Sequence, residues 1–195
     1  MTTLQAHVLA SRIIGGSWII FGAFWAIAAF TTKKTVYRQS FAQRAAWQAI
    51  VIAGALVFFN APREPYPLNA FFLPQTVTAA FVAATLCICG LAFAIWARVV
   101  IGKNWSARVT LKENHELIQR GPYRLVRHPI YTGLLLMSLG SALLIGRLGA
   151  LAAWILFVVS FWIKAGQEET LMLQQFPMGY AAYRQRVKRI VPFIF

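Results

Sequence analysis

Long apolar runs separated by short polar segments dominate the chain, with no internal repeat and no β-type alternation. Val8–Phe30 predicts a first span, roughly 34 Å of helix against a hydrocarbon core of about 30 Å. Ala45–Phe59 predicts a shorter second one. The following APREPYPLNAFFLP carries Pro62, Pro65, Pro67 and Pro74, so it predicts a loop rather than a helix interior. Val77–Ile101 predicts a third span of about 37 Å, with Arg98 near its end where the side chain can snorkel. Ile130–Ile145 and Leu148–Ile163, about 24 Å each, are joined by Gly146-Arg147 and read as two short spans or a hairpin dipping partway across. Beyond Lys164 the chain becomes amphipathic, mixing Phe176, Tyr180, Tyr183 and Val187 with Arg184, Arg186, Lys188 and Arg189, and such a tail lies at an interface. The expectation is an all-α integral membrane protein with about five transmembrane helices, the last two a short hairpin, and a C-terminal amphipathic helix. Residues 1–195 form one membrane domain, with three N-terminal spans in residues 1–101.

Composition supports that reading. The chain is 59% hydrophobic and only 12% charged, where a soluble protein carries about a quarter charged residues. A net charge of +14 would suggest nucleic acid in a soluble chain. Here the basic residues sit between and after apolar runs, where they orient the protein against anionic lipid, so nucleic acid is not the expected partner. Lys33, Lys34, Arg38 and Arg44 follow the first run without an acid among them, whereas Arg63 and Glu64 nearly cancel in the proline-rich loop. The positive-inside rule then places the N-terminus outside and the C-terminus in the cytoplasm. His7 and Arg12 precede the first run, which lacks a small-residue cleavage site and reads as a retained span.

The acids locate the chemistry. Of the five carboxylates, Glu113, Glu116, Glu168 and Glu169 all fall in the inner loop or at the start of the tail, together with His115 and His128. No HxxxH, HExxH or Cys/His quartet accompanies them, so no metal site is expected, and no Walker lysine or GxGxxG is present. Cys87 and Cys89 sit two apart inside an apolar run, face different directions on a helix and read as packing residues.

The densest polar stretch is Gly121–Gly133, GPYRLVRHPIYTG. Pro122 and Pro129 bias Gly121 and His128 away from helical backbone, and Pro129 can occupy a first helical turn. N–H groups there, with Arg127, His128 and Tyr131 as further donors, describe an anion clamp. The same residues also read as a helix cap with interfacial anchors. Glu168 and Glu169 point about 100° apart on a helix. One can accept from ribose hydroxyls or a cation while the other pairs with an arginine; a solvated helix end is the plainer alternative. Tyr180, Tyr183 and Phe176 share a helical stripe and read as packing.

The run His115-x-Leu117-Ile118-x-x-Gly121-Pro122-Tyr123-Arg124-x-x-Arg127-His128-Pro129-x-Tyr131-x-Gly133 resembles the isoprenylcysteine carboxyl methyltransferase family and its phospholipid methyltransferase relatives. So do Glu168-Glu169-x-Leu171-Met172 and Phe176-x-x-x-Tyr180-x-x-Tyr183-x-x-Arg186-Val187, ending at Pro192. Met172 replaces a frequent leucine, and Pro177 stands where the family often has glycine, with Gly179 two positions on.

The resemblance implies a membrane enzyme moving a methyl group from S-adenosyl-L-methionine, bound in a non-Rossmann pocket within residues 102–195. By position, the segment with His115, Leu117 and Ile118 would lie by the adenine, Tyr123 would be a further cofactor-binding residue, and His128 and Tyr131 would hold the methionine carboxylate. Glu168 or Glu169 would accept from ribose or the ammonium, and Arg127 and Arg186 would face an acidic substrate group. The implied substrate is lipid-like or prenylated, methylated at the cytoplasmic interface. The alternatives are a phospholipid amine N-methyltransferase, a noncatalytic membrane protein keeping the fold, or a nicotinamide-dependent membrane reductase.

Overall fold

The computed structural model describes residues 1–30, 35–38, 41–105, 110–112 and 117–192. Helix α1, Thr3–Ala29, begins earlier than its apolar run because Thr2 and Gln5 form a capping box: the Gln5 amide donates to Thr2 Oγ1 at 3.2 Å and the Thr2 amide to Gln5 Oε1 at 2.9 Å. Helix α2 covers Phe41–Asn60. Helix α3, Val77–Ile101, starts at Thr76, whose hydroxyl accepts from the Ala79 amide at 3.1 Å, and stops at Gly102 with φ 54°. Helix α4, Pro129–Ile145, has Pro129 in its first turn and ends on Gly146 in the left-handed conformation.

Helix α5 runs unbroken over Leu148–Gln175, so the expected end at Ile163 is corrected. Ala165, Gln167, Glu168, Glu169, Leu171 and Met172 are all good helix formers, and the break waits for Pro177, which opens α6, Pro177–Arg186. Glu168 and Glu169 therefore ride on the same rod as the last apolar run. Among the described residues three helices, α1, α3 and α5, are long and apolar enough to cross a membrane, while α4 and residues 45–60 of α2 are shorter apolar helices. The all-helical expectation misses one feature: strands β1, Thr35–Arg38, and β2, Thr110–Lys112, form a short antiparallel ladder. Segments of four and three residues are too short to display an alternation in sequence.

Small residues let the helices approach. A Cβ on Gly90 would lie 2.6 Å from the Gly133 carbonyl, and one on Gly133 would lie 2.6 Å from the Gly90 carbonyl, so α3 and α4 meet backbone to backbone. Ala83, Cys87, Ala94 and Met137 are buried along this seam, whereas Cys89 is exposed. Helix α2 lies along α5, and α1 along α3.

The two ends of the bundle differ. At one, the proline-rich loop bonds to the α4–α5 turn: Phe72 donates its amide to the Gly146 carbonyl at 3.0 Å, and the Leu148 amide donates to Ala70 at 2.9 Å. Arg147 stacks over the Phe71 ring at 4.2 Å, and His7 of α1 meets Gln75 Oε1 at 2.5 Å. At the other end Arg98 does not snorkel. It is 3% exposed and donates to the Ala28 and Gly102 carbonyls at 2.6 and 2.7 Å, with Trp105 at 4.8 Å from its guanidinium. The guanidinium thereby joins the C-terminal ends of α1 and α3, where the helix dipoles favour a cation.

Candidate active site

The site lies at the Arg98 end, where two segments far apart in sequence fold onto each other. Gly121 takes φ 60° and Pro122 opens a short 3-10 turn, Gly121–Arg124, that buries Tyr123. The chain then runs extended alongside the tail: the Arg127 amide donates to the Lys188 carbonyl at 2.8 Å and the His128 amide to Arg189 at 3.0 Å. Thr132 Oγ1 adds a bond to the Ile190 carbonyl at 2.6 Å, and Tyr183 donates its hydroxyl to the Tyr123 carbonyl at 2.5 Å. The tail is thereby latched over the start of α4.

The neighbouring glutamates divide the work by direction. Glu169 is 2% exposed and faces the tail. It accepts from Arg127 Nε at 2.9 Å and Arg189 NH2 at 2.9 Å, with His128 Nε2 at 3.3 Å and Arg184 Nε at 3.6 Å. Glu168 faces α4 instead, accepting from the Tyr131 hydroxyl at 2.6 Å with His128 Nδ1 at 3.5 Å. Aromatic rings floor the cluster: His128 stacks on Tyr131 at 5.4 Å and Tyr131 on Phe161 at 5.0 Å. Arg189 lies over Trp162 at 4.4 Å.

Both imidazole nitrogens of His128 face carboxylate oxygens, an arrangement that suits the doubly protonated ring. Burial lowers its pKa, but hydrogen bonds and charge from Glu168 and Glu169 outweigh that and hold it above the ordinary value. Burial also pushes the Tyr123, Tyr180 and Tyr183 phenols well up, so none of them is a base near neutrality.

Of the residues singled out from sequence, Arg127, His128, Tyr131, Glu168 and Glu169 come together here. Tyr123 joins them through a buried cluster with Ala97, Ile130, Tyr131 and Ala165, against which Ile118 packs. Leu117 lies by α6, its Cδ2 at 3.5 Å from where a Cβ on Gly179 would be. Arg186 stands apart on the exposed side of α6, donating to Gln119 Oε1 at 3.2 Å. His115, like Glu113 and Glu116, lies outside the described residues. Arg127 is engaged as a tie, because besides Glu169 it donates to the carbonyls of Arg184 (3.2 Å) and Val187. Sequence reasoning missed Arg189, Arg184 and Lys164. Lys164 stands four residues before Glu168, a same-face spacing that was available as a signal once the helix was known to continue; nothing in the spacing singles out Arg189 among the tail cations.

Apolar helices long enough to span, closed at one end over a buried cluster of both charges, define an integral membrane protein with a polar site at the rim of its bundle. Residues 82–174 match the family model of the isoprenylcysteine carboxyl methyltransferase (ICMT) family. Protein-S-isoprenylcysteine O-methyltransferase B of Arabidopsis thaliana is 30% identical over 142 residues, covering 71% of this chain and 66% of that protein. The chain is thus similar in sequence to members of this family. The Schizosaccharomyces pombe protein-S-isoprenylcysteine O-methyltransferase is 33% identical over 104 residues, 50% of this chain and 43% of its own length. The matched stretch thus spans less than two thirds of these relatives. The solved structure of the eukaryotic intramembrane Ras methyltransferase ICMT has the same fold, with a TM-score of 0.57 over 82% of this chain and 55% of that one at 24% identity.

Proposed function

We propose that this protein is a membrane methyltransferase that uses S-adenosyl-L-methionine to methylate a prenylated or similarly amphiphilic substrate at the cytoplasmic face of the membrane. One observation carries the reading: Arg127, His128, Tyr131, Glu168 and Glu169 all lie within the family-matched residues 82–174, and the fold gathers them into one buried cluster.

The donor set suits the cofactor. A zwitterionic amino-acid group needs a carboxylate for its ammonium and donors for its carboxylate, and Glu168 stands beside Tyr131 and His128. Half-buried Ile118 and Leu117 with buried Tyr123 supply an apolar surface for adenine. Once bound, the cofactor supplies a methyl group on a positively charged sulfur, which leaves as a neutral thioether. Alignment and exclusion of water are then the chain's contribution, and a carboxylate acceptor asks for no general base. Arg127 and Glu169 act as positioning residues that hold the tail over the site, and Arg186, exposed on α6, is the cation set to meet an acidic substrate group. Five crossings, with the N-terminus outside and α6 in the cytoplasm, agree with the loop charges.

Calorimetric titration with S-adenosylhomocysteine tests the reading. Wild type should bind, while His128→Ala and Glu168→Gln should each weaken binding about tenfold or more, as expected when a charge-assisted contact is lost. Well-folded wild type that does not bind, or both variants binding as wild type does, would reject it.

A further inference from the structure

The latch that closes the tail over the site gathers charge of one sign. Residues 117–128 and 176–192 together hold seven arginines and lysines and no acid. The two segments are pressed together by the Val126–Lys188 bridge, by the Tyr183 hydroxyl on the Tyr123 carbonyl and by Arg186 on Gln119. Glu169 satisfies Arg127 and Arg189 on the inner side and lies 3.6 Å from Arg184 Nε. On the outer side Arg120, Arg124 and Lys188 are exposed, and none has a carboxylate partner among the described residues. Like charges drawn together in this way oppose closure unless an anion from outside joins them. Their neighbours place these cations at lipid. Leu125 follows Arg124, Val191 stands three residues after Lys188, and both are exposed. Arg189 lies over the ring of Trp162, which is itself exposed and sits at the end of the α5 apolar run. An indole at a span end marks the headgroup level, and apolar side chains set among cations suit a surface with acyl chains beneath its charges.

We propose that Arg120, Arg124 and Lys188, with Leu125 and Val191, form a docking surface for anionic phospholipid, and that lipid bound there holds the tail closed. Phosphodiester headgroups neutralise the three cations while the two apolar side chains enter the acyl boundary. The occupant is a lipid rather than a soluble acid because the surface continues, through Arg189 and Trp162, into the lipid-facing wall of α5. Binding is coupled to closure by where the cations sit. Lys188 is on the tail, whereas Arg120 and Arg124 are on the segment it closes against. Headgroups meet all three side by side only when the latch is shut, so anionic lipid has a higher affinity for the closed state and shifts the population towards it.

Hydrogen exchange of the Arg127 and His128 amides reads closure directly, since both donate to tail carbonyls. With the full chain in nanodiscs of phosphatidylcholine, replacing about 30% of the lipid by phosphatidylglycerol should raise their protection about tenfold. The triple variant Arg120→Gln/Arg124→Gln/Lys188→Gln should be protected alike in both discs. In phosphatidylcholine alone it should exceed wild type, because the repulsion across the latch is gone. Arg63→Gln, exposed in the proline-rich loop at the other end of the bundle, should keep the wild-type response. Equal wild-type protection in the two discs overturns the proposal, as does a lipid response that survives in the triple variant or disappears in Arg63→Gln. If the triple variant does not fold, Arg124→Gln and Lys188→Gln singly decide: each should reduce the gain, and two unaltered gains overturn the proposal. Soluble polyglutamate or inorganic phosphate that matches phosphatidylglycerol when added to phosphatidylcholine discs overturns the lipid assignment in favour of an acidic protein or a free anion. The readout uses no methyl donor, so these outcomes are independent of the methyltransferase reading.

Discussion

Replacing Glu169 by glutamine removes the negative charge that holds the tail in place. The carboxylate is 2% exposed and lies between Arg127 and Arg189, each 2.9 Å away, with His128 and Arg184 close behind. Two guanidinium groups on 8% and 17% exposed side chains would be left facing a neutral amide. Breaking a buried ion pair from one side costs about 3–5 kcal/mol, and the residual hydrogen bonding of glutamine argues for the lower part of that range. For a chain of this size about 3 kcal/mol corresponds to a Tm lower by roughly 6–12 °C. Thermal unfolding in detergent, followed by intrinsic tryptophan fluorescence, reads this directly, because Trp162 stacks under Arg189. Glu168→Gln is the control: no arginine contacts Glu168 among the described residues, and an amide oxygen can still accept from the Tyr131 hydroxyl, so it should lower Tm less. In a double-mutant cycle, Arg189→Gln on the Glu169→Gln background should cost less than on wild type, with a coupling of about 1–3 kcal/mol. A Glu169→Gln melt within about 2 °C of wild type, or one above that of Glu168→Gln, would refute the reasoning.

Two further outcomes follow from the same geometry. Because His128 has its folded-state pKa raised, its stabilising charge is fully present below the unfolded histidine value of about 6.5 and is lost as pH rises through the higher folded value; Tm should therefore decline with rising pH above about 6.5, and His128→Gln should flatten that slope. Gly133→Ala puts a Cβ 2.6 Å from the Gly90 carbonyl, while Gly15→Ala meets nothing within 4 Å. The first should cost about 1–3 kcal/mol of overpacking and the second almost nothing, so equal melting temperatures for the pair would contradict the backbone seam.

Apolar run length made the helices legible, since Val77–Ile101 is long and apolar enough to cross a membrane with Arg98 confined to its last turn. It failed where length and polarity part company. α5 carries on for about three turns past the end of its apolar run at Ile163, because propensity and the absence of a breaker, rather than hydropathy, decide where a helix stops. Arg98 misled for the opposite reason: one cation near a span end looks the same in sequence whether it reaches water or binds the carbonyls of two helix ends. In the site, the RHP turn and the twin glutamates were legible because their residue types are expensive at membrane depth. The partners of those groups were not, because charge selection among Arg184, Arg186, Lys188 and Arg189 depends on how the tail folds back.

That fold-back ties the chemistry of the site to its architecture. A helix turns about 100° per residue, so two adjacent glutamates must face different neighbours. Glu169 turns to the tail and is neutralised by its arginines, which leaves Glu168 with Tyr131 and His128 beside it. If Glu169 lost its arginines, its charge would need another partner, and His128 is the group already in contact with both carboxylates. The arginine clamp thus does more than fasten a terminus. By satisfying one carboxylate it leaves His128 and Glu168 as the pair that the proposed zwitterionic cofactor would meet, and a tail that failed to close would change the site's charge as well as its shape.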